Sequence, residues 1–362
     1  MKGRKKQMDT RIDAQQLRRC MEQIFEKEGF RAEDACVIAD VLMQADLFGI
    51  ESHGAQRLMY YHRNIGSGSV NVSAQMGIVR ETPVSALVDA HYAMGALAGV
   101  FAMNKAIEKA KQTGIGMVAV RNSSHYGIAG YYTLMAAKAG LAAFSMTNTG
   151  PIMVPTFGRE MMLGTNPIAF CMPADPYPFW FDASTTVVTL GKVEVHDKRE
   201  KPMPEGWTID GEGRPACDAH RINTSILAGE MGGILPLGGA GELHSGHKGY
   251  GLGVMVEALT GVLAQGLVSP DMSGAHGDHT CHFFMAFDPA MFGDPADIRA
   301  RMSDYLARLR ASEKIPGCAR IYTAGEKAFE AQEKRLREGV PVEEKTLAEL
   351  HAIAAELGVK SV

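Results

Sequence analysis

The chain has no run of about 18 or more uncharged apolar residues, so nothing in it is a candidate for a membrane-spanning helix. It has no Cys-x-x-Cys pair. Its six cysteines, Cys20, Cys36, Cys171, Cys217, Cys281 and Cys318, are scattered, and a chain of 362 residues needs no covalent staples, so they are expected to be reduced thiols in a cytoplasmic protein. It has no large excess of either charge. A net charge of −4 at pH 7 argues against a nucleic-acid partner and against binding to a membrane surface. The basic start, Met1-Lys-Gly-Arg-Lys-Lys-Gln7, is followed by no apolar stretch and is expected to be a frayed tail rather than a signal peptide. Internal repeats, low-complexity tracts and interdomain linkers are absent too, which favours lobes built by a chain that crosses back and forth.

A glycine-rich phosphate turn in the right context is also missing. The nearest match, Gly114-Ile115-Gly116-Met117-Val118-Ala119, follows a helical stretch and precedes a strand, whereas the dinucleotide fingerprint needs the reverse order. It is expected to be a helix stop followed by a strand start. No Walker-type loop is present.

What is present is alternation. Residues from about 12 to 65 are expected to be helical, with Leu17, Met21, Ile24 and Phe25 on one stripe and Val37, Ile38, Val41 and Leu42 on another; Gly29 separates them and Gly49 ends the second. Strands are expected at Ala86–Asp89, Gly116–Val120 and Leu141–Met146, and helices at Ala96–Lys111 and Gly127–Lys138. Asp182-Ala183-Ser184 is expected to open a helical run toward Val193, and 198–218 to be a polar surface excursion. Gly249–Leu263 has the pattern of an apolar helix. The charged stretch from Pro295 is expected to be helical, with loops near Pro316 and Gly325. The class is α/β.

Two stretches carry the most chemistry. In Gly49-Ile-Glu-Ser-His-Gly-Ala-Gln-Arg-Leu58, Ser52 is a good N-cap for the apolar-periodic run Leu58, Met59, Tyr60, Ile65. A helix starting there puts His53 and Arg57 one turn apart on one face. An imidazole moves protons near neutral pH, and a guanidinium grips a carboxylate through two parallel hydrogen bonds. Together they suit a 2-hydroxy or 2-keto acid; alternatively, Ser52 only caps and His53 only packs. The second stretch is Leu163-Gly-Thr-Asn-Pro-Ile-Ala-Phe170, where Thr165 and Asn166 either hold a substrate carboxylate or close a tight turn.

Other segments are placed for ligands. Asn122-Ser-Ser-His125-Tyr126-Gly127 follows a strand and precedes a helix, which makes His125 a second acid/base or cofactor candidate. His247-Lys248-Gly249 leads into a helix, and open backbone N–H groups beside a lysine make a phosphate cradle or a plain turn. Asp182 either caps a helix or holds a ribose hydroxyl. The cluster His276, Asp278, His279, Cys281 and His282 has donors for zinc, but no second ligand pair has matching spacing, so no metal is expected.

Five motifs stand in order. They are Ala45-Asp-Leu-Phe-Gly-Ile-Glu-Ser-His-Gly54 with Arg57, Val120-Arg-Asn-Ser-Ser-His-Tyr-Gly127 with Gly130-Tyr-Tyr132, Leu163–Phe170, Asp182-Ala-Ser-Thr185 with Gly191-Lys-Val193, and His247-Lys-Gly-Tyr-Gly-Leu252. With them the chain, from about residue 10 to 355, resembles the type-2 malate/L-lactate dehydrogenase family, which is distinct from the Rossmann-fold lactate and malate dehydrogenases. That family also includes ureidoglycolate, sulfolactate and diketogulonate enzymes and cyclic-imine reductases. The resemblance implies a mostly antiparallel cofactor sheet flanked by helices, with N- and C-terminal segments packed together as a helical lobe. The corresponding division is 1–75, 76–310 and 311–362. It implies a homodimer with its active site near the subunit interface.

By the same resemblance the proton-transferring histidine falls on His53 with Ser52 beside it, although some members give that role to the histidine matching His125. The carboxylate-binding arginine falls on Arg57 and a substrate contact on Thr165. The cofactor surface falls on His125, Tyr126, Gly127, Ile128, Ala129, Thr149, Asp182, Ala183, Ser184, Lys248 with Gly249, and the loop around Gly325. Imine reductases of this type carry an aspartate where Lys192 stands, so Lys192 is expected on the substrate side of a hydroxy-acid enzyme. Many relatives have Arg-Leu-Pro-Gly-Glu where this chain has Tyr322-Thr-Ala-Gly-Glu326; losing that arginine favours NAD over NADP. The expected activity is NAD(P)-dependent interconversion of a 2-hydroxy acid and its 2-keto acid. The rivals are a cyclic-imine reductase and a zinc-dependent lyase or hydrolase built on His276–His282.

Overall fold

The computed structural model describes residues 10–272 and 279–362. The chain opens with strand β1 (Thr10–Ile12) and helices α1 (Ala14–Lys27) and α2 (Ala32–Leu47). Asp13 caps α1, its carboxylate accepting from the amides of Gln15 and Gln16. Leu17, Cys20, Met21, Ile24 and Phe25 form the buried stripe, and α2 meets it with Ile38, Val41 and Leu42. The helical run expected to continue to residue 65 is broken after α2. Two short 3₁₀ turns, Glu51–His53 and Ala55–Arg57, come before α3 (Leu58–Gly66).

Next come β2 (Gly77–Glu81), β3 (Ser85–Asp89), α4 (Gly95–Thr113), β4 (Ile115–Ser123), α5 (Gly130–Lys138), β5 (Ala142–Thr147), β6 (Ile168–Met172) and β7 (Phe179–Ala183). Gly114 ends α4 at φ 89°, which glycine adopts without strain, so the segment read as a helix stop and strand start is one. Asp182 lies in β7 and does not open a helix; α6 (Leu190–Lys198) starts later, behind Thr189. The segment expected to be a surface excursion contributes β8 (Thr208–Ile209) and β9 (Pro215–Ala216). With α7 (Ala219–Leu227) and β10 (Gly233–Ile234) these make a small sheet whose Ile209, Ile222 and Ile234 share a core.

Helix α8 (Gly246–Glu257) begins three residues earlier than its apolar pattern indicated and runs into a π-helical turn, Ala258–Val262. Strand β11 (Thr280–Phe287), α9 (Pro295–Ala311), α10 (Glu326–Glu338), β12 (Val340–Val342) and α11 (Glu344–Leu357) complete the chain.

The main sheet has seven strands in the order β2-β3-β4-β11-β5-β6-β7, and every neighbouring pair is antiparallel except β3 with β4. Strand β11 fills the centre, which is why it is almost entirely buried. On one face, Val118, Val120, Phe284 and Ala286 pack against the alanine-rich side of α4 and against Tyr132 and Ala136 of α5. On the other, Ala119, Met146 and Phe283 pack against Val256 and Ala264. The N- and C-terminal segments meet as expected: β1 pairs with β12, and Leu350 and Ile353 of α11 join the core of α1 and α2. None of the six cysteines is in a disulfide. Among the described residues no helix is long and apolar enough to cross a membrane.

Candidate functional site

The double turn after α2 is set by a buried carboxylate. Asp46, in the last turn of α2, accepts the amide of Ala55 at 2.8 Å. A Cβ on Gly54 would lie 1.9 Å from Asp46 Oδ1, so only glycine fits between the two turns. From α10, Arg335 donates to the Asp46 carbonyl at 2.6 Å and to Glu51 at 2.5 Å. Burial raises the Asp46 pKa to about 7, against the opposing pull of the Ala55 N–H and the Arg335 charge.

Ser52 therefore caps no helix. Its hydroxyl lies 2.8 Å from Nδ1 of His53, while its carbonyl accepts Nε of Arg57 at 2.6 Å. His53 and Arg57 sit on consecutive 3₁₀ turns and not on one α-helical face, because Gly54 and Asp46 break the run between them. Burial, and then the Arg57 charge, lower the His53 pKa to about 4, so its imidazole is neutral at neutral pH. No carboxylate among the described residues forms an ion pair with Arg57.

His125 reaches the same place from the loop after β4. Its ring stacks on His53, with centroids 5.5 Å apart. The buried hydroxyl of Tyr61 lies 2.8 Å from its Nδ1, and the Gly127 amide points at the same atom at 3.4 Å. An amide can only donate, so the Gly127 contact makes Nδ1 of His125 an acceptor and puts the ring proton on Nε2, and the Tyr61 hydroxyl, held protonated by burial, then donates to the same atom. Burial, with the charges of His53 and Arg57, drives the His125 pKa well down.

These groups line one cleft of about 1320 Å³. Its walls include Gly127, Ile128 and Ala129 at the start of α5, then Thr149 and Thr165, then Asp182, Ala183 and Ser184, and finally Gly191 and Lys192 at the start of α6. The Thr165 amide donates to Oγ1 of Thr149 at 3.0 Å. Asp182 does cap a helix, though not its own: it accepts the Gly130 amide of α5 at 2.8 Å, and burial lifts its pKa to about 6.

Five expected residues lie off the cleft lining. Tyr126 is in the core, stacked on His282 with centroids 4.4 Å apart and its hydroxyl 3.2 Å from that of Ser145. Asn166 is fully buried and donates to Glu257 and to the Gly253 carbonyl. Lys248 is exposed, and Gly249 packs against the backbone of Leu237 inside the first turn of α8. Gly325 precedes α10 and packs against Trp180. Conversely, Asp46, Tyr61 and Glu257 are site-building residues that sequence reasoning passed over. Tyr61 had a signal, since it falls one helical turn beyond Arg57.

His276 and Asp278 lie outside the described residues. His282 sits near the start of β11 with both ring nitrogens taken, by Thr147 and Ser123, and burial lowers its pKa to about 3. Cys281 is buried on the opposite sheet face, against Val256 and Ala264.

A family model described as malate/L-lactate dehydrogenase matches residues 12–351. The chain is 44% identical over 355 residues to a protein of Pyrococcus abyssi named malate dehydrogenase, with 98% of this chain and 96% of that protein covered. It is 32% identical to a malate/(S)-sulfolactate dehydrogenase of Methanothermus fervidus, covering 96% and 98% of the two chains. The structure of malate dehydrogenase from Pyrococcus horikoshii superposes with a TM-score of 0.90 at 40% identity, covering 100% of this chain and 99% of that one.

Proposed function

The chain belongs to the malate/L-lactate dehydrogenase family and is a malate dehydrogenase-type oxidoreductase; from that premise we propose that it interconverts a 2-hydroxy acid and its 2-keto acid with NAD, malate being the first candidate. The observation that carries this reading is the pairing, in one cleft, of a neutral imidazole on His53 with a guanidinium on Arg57 that has no ion-pair partner among the described residues.

A nicotinamide cofactor fits the residues present. The cleft, about 1320 Å³, is far larger than a small acid needs. The start of α5 opens onto it, and Asp182 presents a carboxylate on the same wall. Gly127, Ile128, Ala129, Thr149 and Asp182–Ser184 are the residues that would hold the cofactor. Bound there, the nicotinamide supplies the hydride chemistry at C2 of the substrate. In oxidation Arg57 fixes the carboxylate and His53 takes the hydroxyl proton. In reduction His53 gives a proton back to the same oxygen. A substrate carboxylate on Arg57 screens the charge that depresses His53, so binding makes the imidazole easier to protonate. His125, held by Tyr61 with its proton on Nε2, is a neutral donor for that oxygen and not a base.

Among the described residues, Arg57 and Lys192 are the only lysine or arginine side chains on the lining, which supports NAD over NADP, because none of these residues adds a second arginine there for a 2′-phosphate. A substrate with a second acidic group would meet Lys192. The protein is proposed to act as a cytoplasmic homodimer. In support, Leu252, Val254 and Met255 of α8 and Val262 and Leu263 beyond it are exposed apolar residues on one continuous element.

One observation favours a second reading. By the same resemblance, cyclic-imine reductases complete a Ser-His-Asp relay with the aspartate that stands where Lys192 does here; the Ser52–His53 hydrogen bond matches its first two members, and Lys192 opposes it. The deciding experiment follows NADH and NADPH absorbance with oxaloacetate, pyruvate, sulfopyruvate and a cyclic imino acid. Turnover of a keto acid with NADH is expected. Turnover of the imine alone would replace the first reading by the second.

A further inference from the structure

We propose that Glu257 is a positioning residue that holds the cleft wall carrying Thr149 and Thr165. The inference rests on the reading of that cleft as the active site. Glu257 is 8% exposed, and no lysine, arginine or histidine among the described residues lies within ion-pair distance of it. A buried carboxylate without a cation is costly unless neutral donors surround it. Here they do. Asn166 Nδ2 donates to Oε1 at 2.9 Å, Asn148 Nδ2 to Oε2 at 3.1 Å, the Ser269 amide to Oε2 at 3.3 Å, and the Ser269 hydroxyl contacts Oε1.

Every one of these partners is next in sequence to a residue on the cleft. Asn148 precedes Thr149, Asn166 lies between Thr165 and Pro167, and Ser269 precedes Pro270. The links reach the wall directly as well. Ser269 Oγ accepts the Gly164 amide at 3.0 Å and lies 2.6 Å from the Thr149 carbonyl. The Thr165 amide then donates to Thr149 Oγ1. There is no slack for another arrangement, since a Cβ on Gly164 would lie 2.1 Å from that same Oγ1.

The helix is shaped for this contact. It leaves α-geometry immediately after Glu257, and the wide π turn sets Gly261 against the Leu267 carbonyl and the Asn148 amide nitrogen. π turns interrupting a helix are often found at functional sites. Three chain segments, around 148, 166 and 269, thus converge on one carboxylate that lies off the cleft lining. Nothing in the proton transfer proposed for His53 uses it, so its part in the reaction is to fix where the two threonine hydroxyls stand.

The test is Glu257→Gln in the full-length protein, read by amide hydrogen exchange and steady-state kinetics together. An isosteric amide turns half of the acceptor into a donor facing donors. Exchange at Gly164 and Thr165 is expected to speed up about tenfold, and KM for the acid to rise about tenfold with kcat within about threefold. The double variant Asn166→Asp with Glu257→Gln puts a carboxylate opposite the new amide and should recover part of the KM. Unchanged exchange at Gly164 and Thr165 would overturn the proposal. So would faster exchange throughout the chain with kcat and KM both degraded and no recovery in the double variant, which is what a merely structural carboxylate gives. If Glu257→Gln does not fold, Ser269→Ala removes the hydroxyl that joins Glu257 to Gly164 and Thr149, leaves the Asn148 and Asn166 bonds to the carboxylate in place, and is expected to give the same two changes. If the wild-type protein turns over no acid, the activity reading fails, and the exchange measurement still decides the role of Glu257.

Discussion

The imidazoles of His53 and His125 lie stacked, their planes inclined by 27°. One hangs on a 3₁₀ turn before α3 and the other on the loop after β4, so the contact joins the helical lobe to the main sheet. Two rings at this distance disfavour each other's protonation, and each lowers the charge the other can carry. Their polar partners separate them. His53 has the Ser52 hydroxyl, which either donates or accepts, and keeps both protonation states open; His125 has Tyr61 and the Gly127 amide, which fix Nδ1 as an acceptor.

The first prediction follows from that division. His53→Ala should lower kcat by roughly 10²–10⁴, the usual worth of a general acid/base, while NADH still quenches or enhances fluorescence on binding. His125→Ala should cost less, since it removes a donor and not the proton carrier. If the two variants exchange these effects, the acid/base role moves to His125.

Tyr61→Phe tests the tautomer. Losing the phenolic donor leaves only the long Gly127 contact on Nδ1, so the ring proton is free to move there. Nitrogen-15 chemical shifts of His125 should show protonated Nε2 in the wild-type protein and a mixed population in the variant. About a tenfold fall in kcat/KM is expected with it, comparable to one neutral hydrogen bond. An unaltered tautomer would mean that Tyr61 only packs.

Much of this arrangement was legible in the sequence, and what was not has physical causes. The stripes of α1 and α2, the strands β3, β4 and β5 and the helix α4 were readable because each is amphipathic or apolar at its own period. Strand β11 was not, since its place between β4 and β5 is fixed by pairing with segments far away in the chain. The break between His53 and Arg57 was hidden for a similar reason: it comes from Asp46 reaching Ala55 and excluding any side chain at Gly54, a tertiary constraint that overrides a good N-cap signal at Ser52. Asp182, which the sequence leaves as either a helix cap or a ribose contact, accepts the first amide of α5, a helix that reaches it only through the sheet.

Arg57 lowers the His53 pKa beside burial and is the proposed carboxylate clamp, and the two effects separate by substitution. Arg57→Lys keeps the charge but loses the planar fork, so KM for the acid should rise about tenfold or more with the His53 titration little changed. Arg57→Met removes the charge as well. Since Arg57 adds to burial in lowering His53 to about 4, the titration should then move upward while staying below the ordinary value of 6.5, because burial remains. The sign carries to stability. A histidine whose pKa is depressed by folding contributes stability that is present above pH 6.5 and lost as pH falls toward about 4. That loss should be smaller in Arg57→Met. Proton NMR titration of the imidazole and thermal midpoints between pH 4 and 7 measure both, and a downward shift would contradict the coupling.

Gly54→Ala tests the turn on which both groups depend. The added methyl would sit 1.9 Å from one Asp46 carboxylate oxygen and 2.6 Å from the other, and neither can retreat while the Ala55 amide holds the carboxylate at 2.8 Å. Asp46 is buried with a pKa of about 7, so it has no easy solvated alternative. The clash must be relieved by moving residues 51–57 outward, which carries His53 off the His125 ring and Arg57 off the Ser52 carbonyl. A loss of about 1–3 kcal/mol in stability is expected, as for other overpacked sites, with a larger proportional loss in kcat/KM. Asp46→Ala in the same background separates the two effects, because it restores the space without restoring the hydrogen bond. Stability should partly recover, but activity should not, since the Ala55 amide is then unheld and the turn is free to drift. Full recovery of activity in that double variant would show that Asp46 merely fills space, and that His53 and Arg57 are positioned by something else.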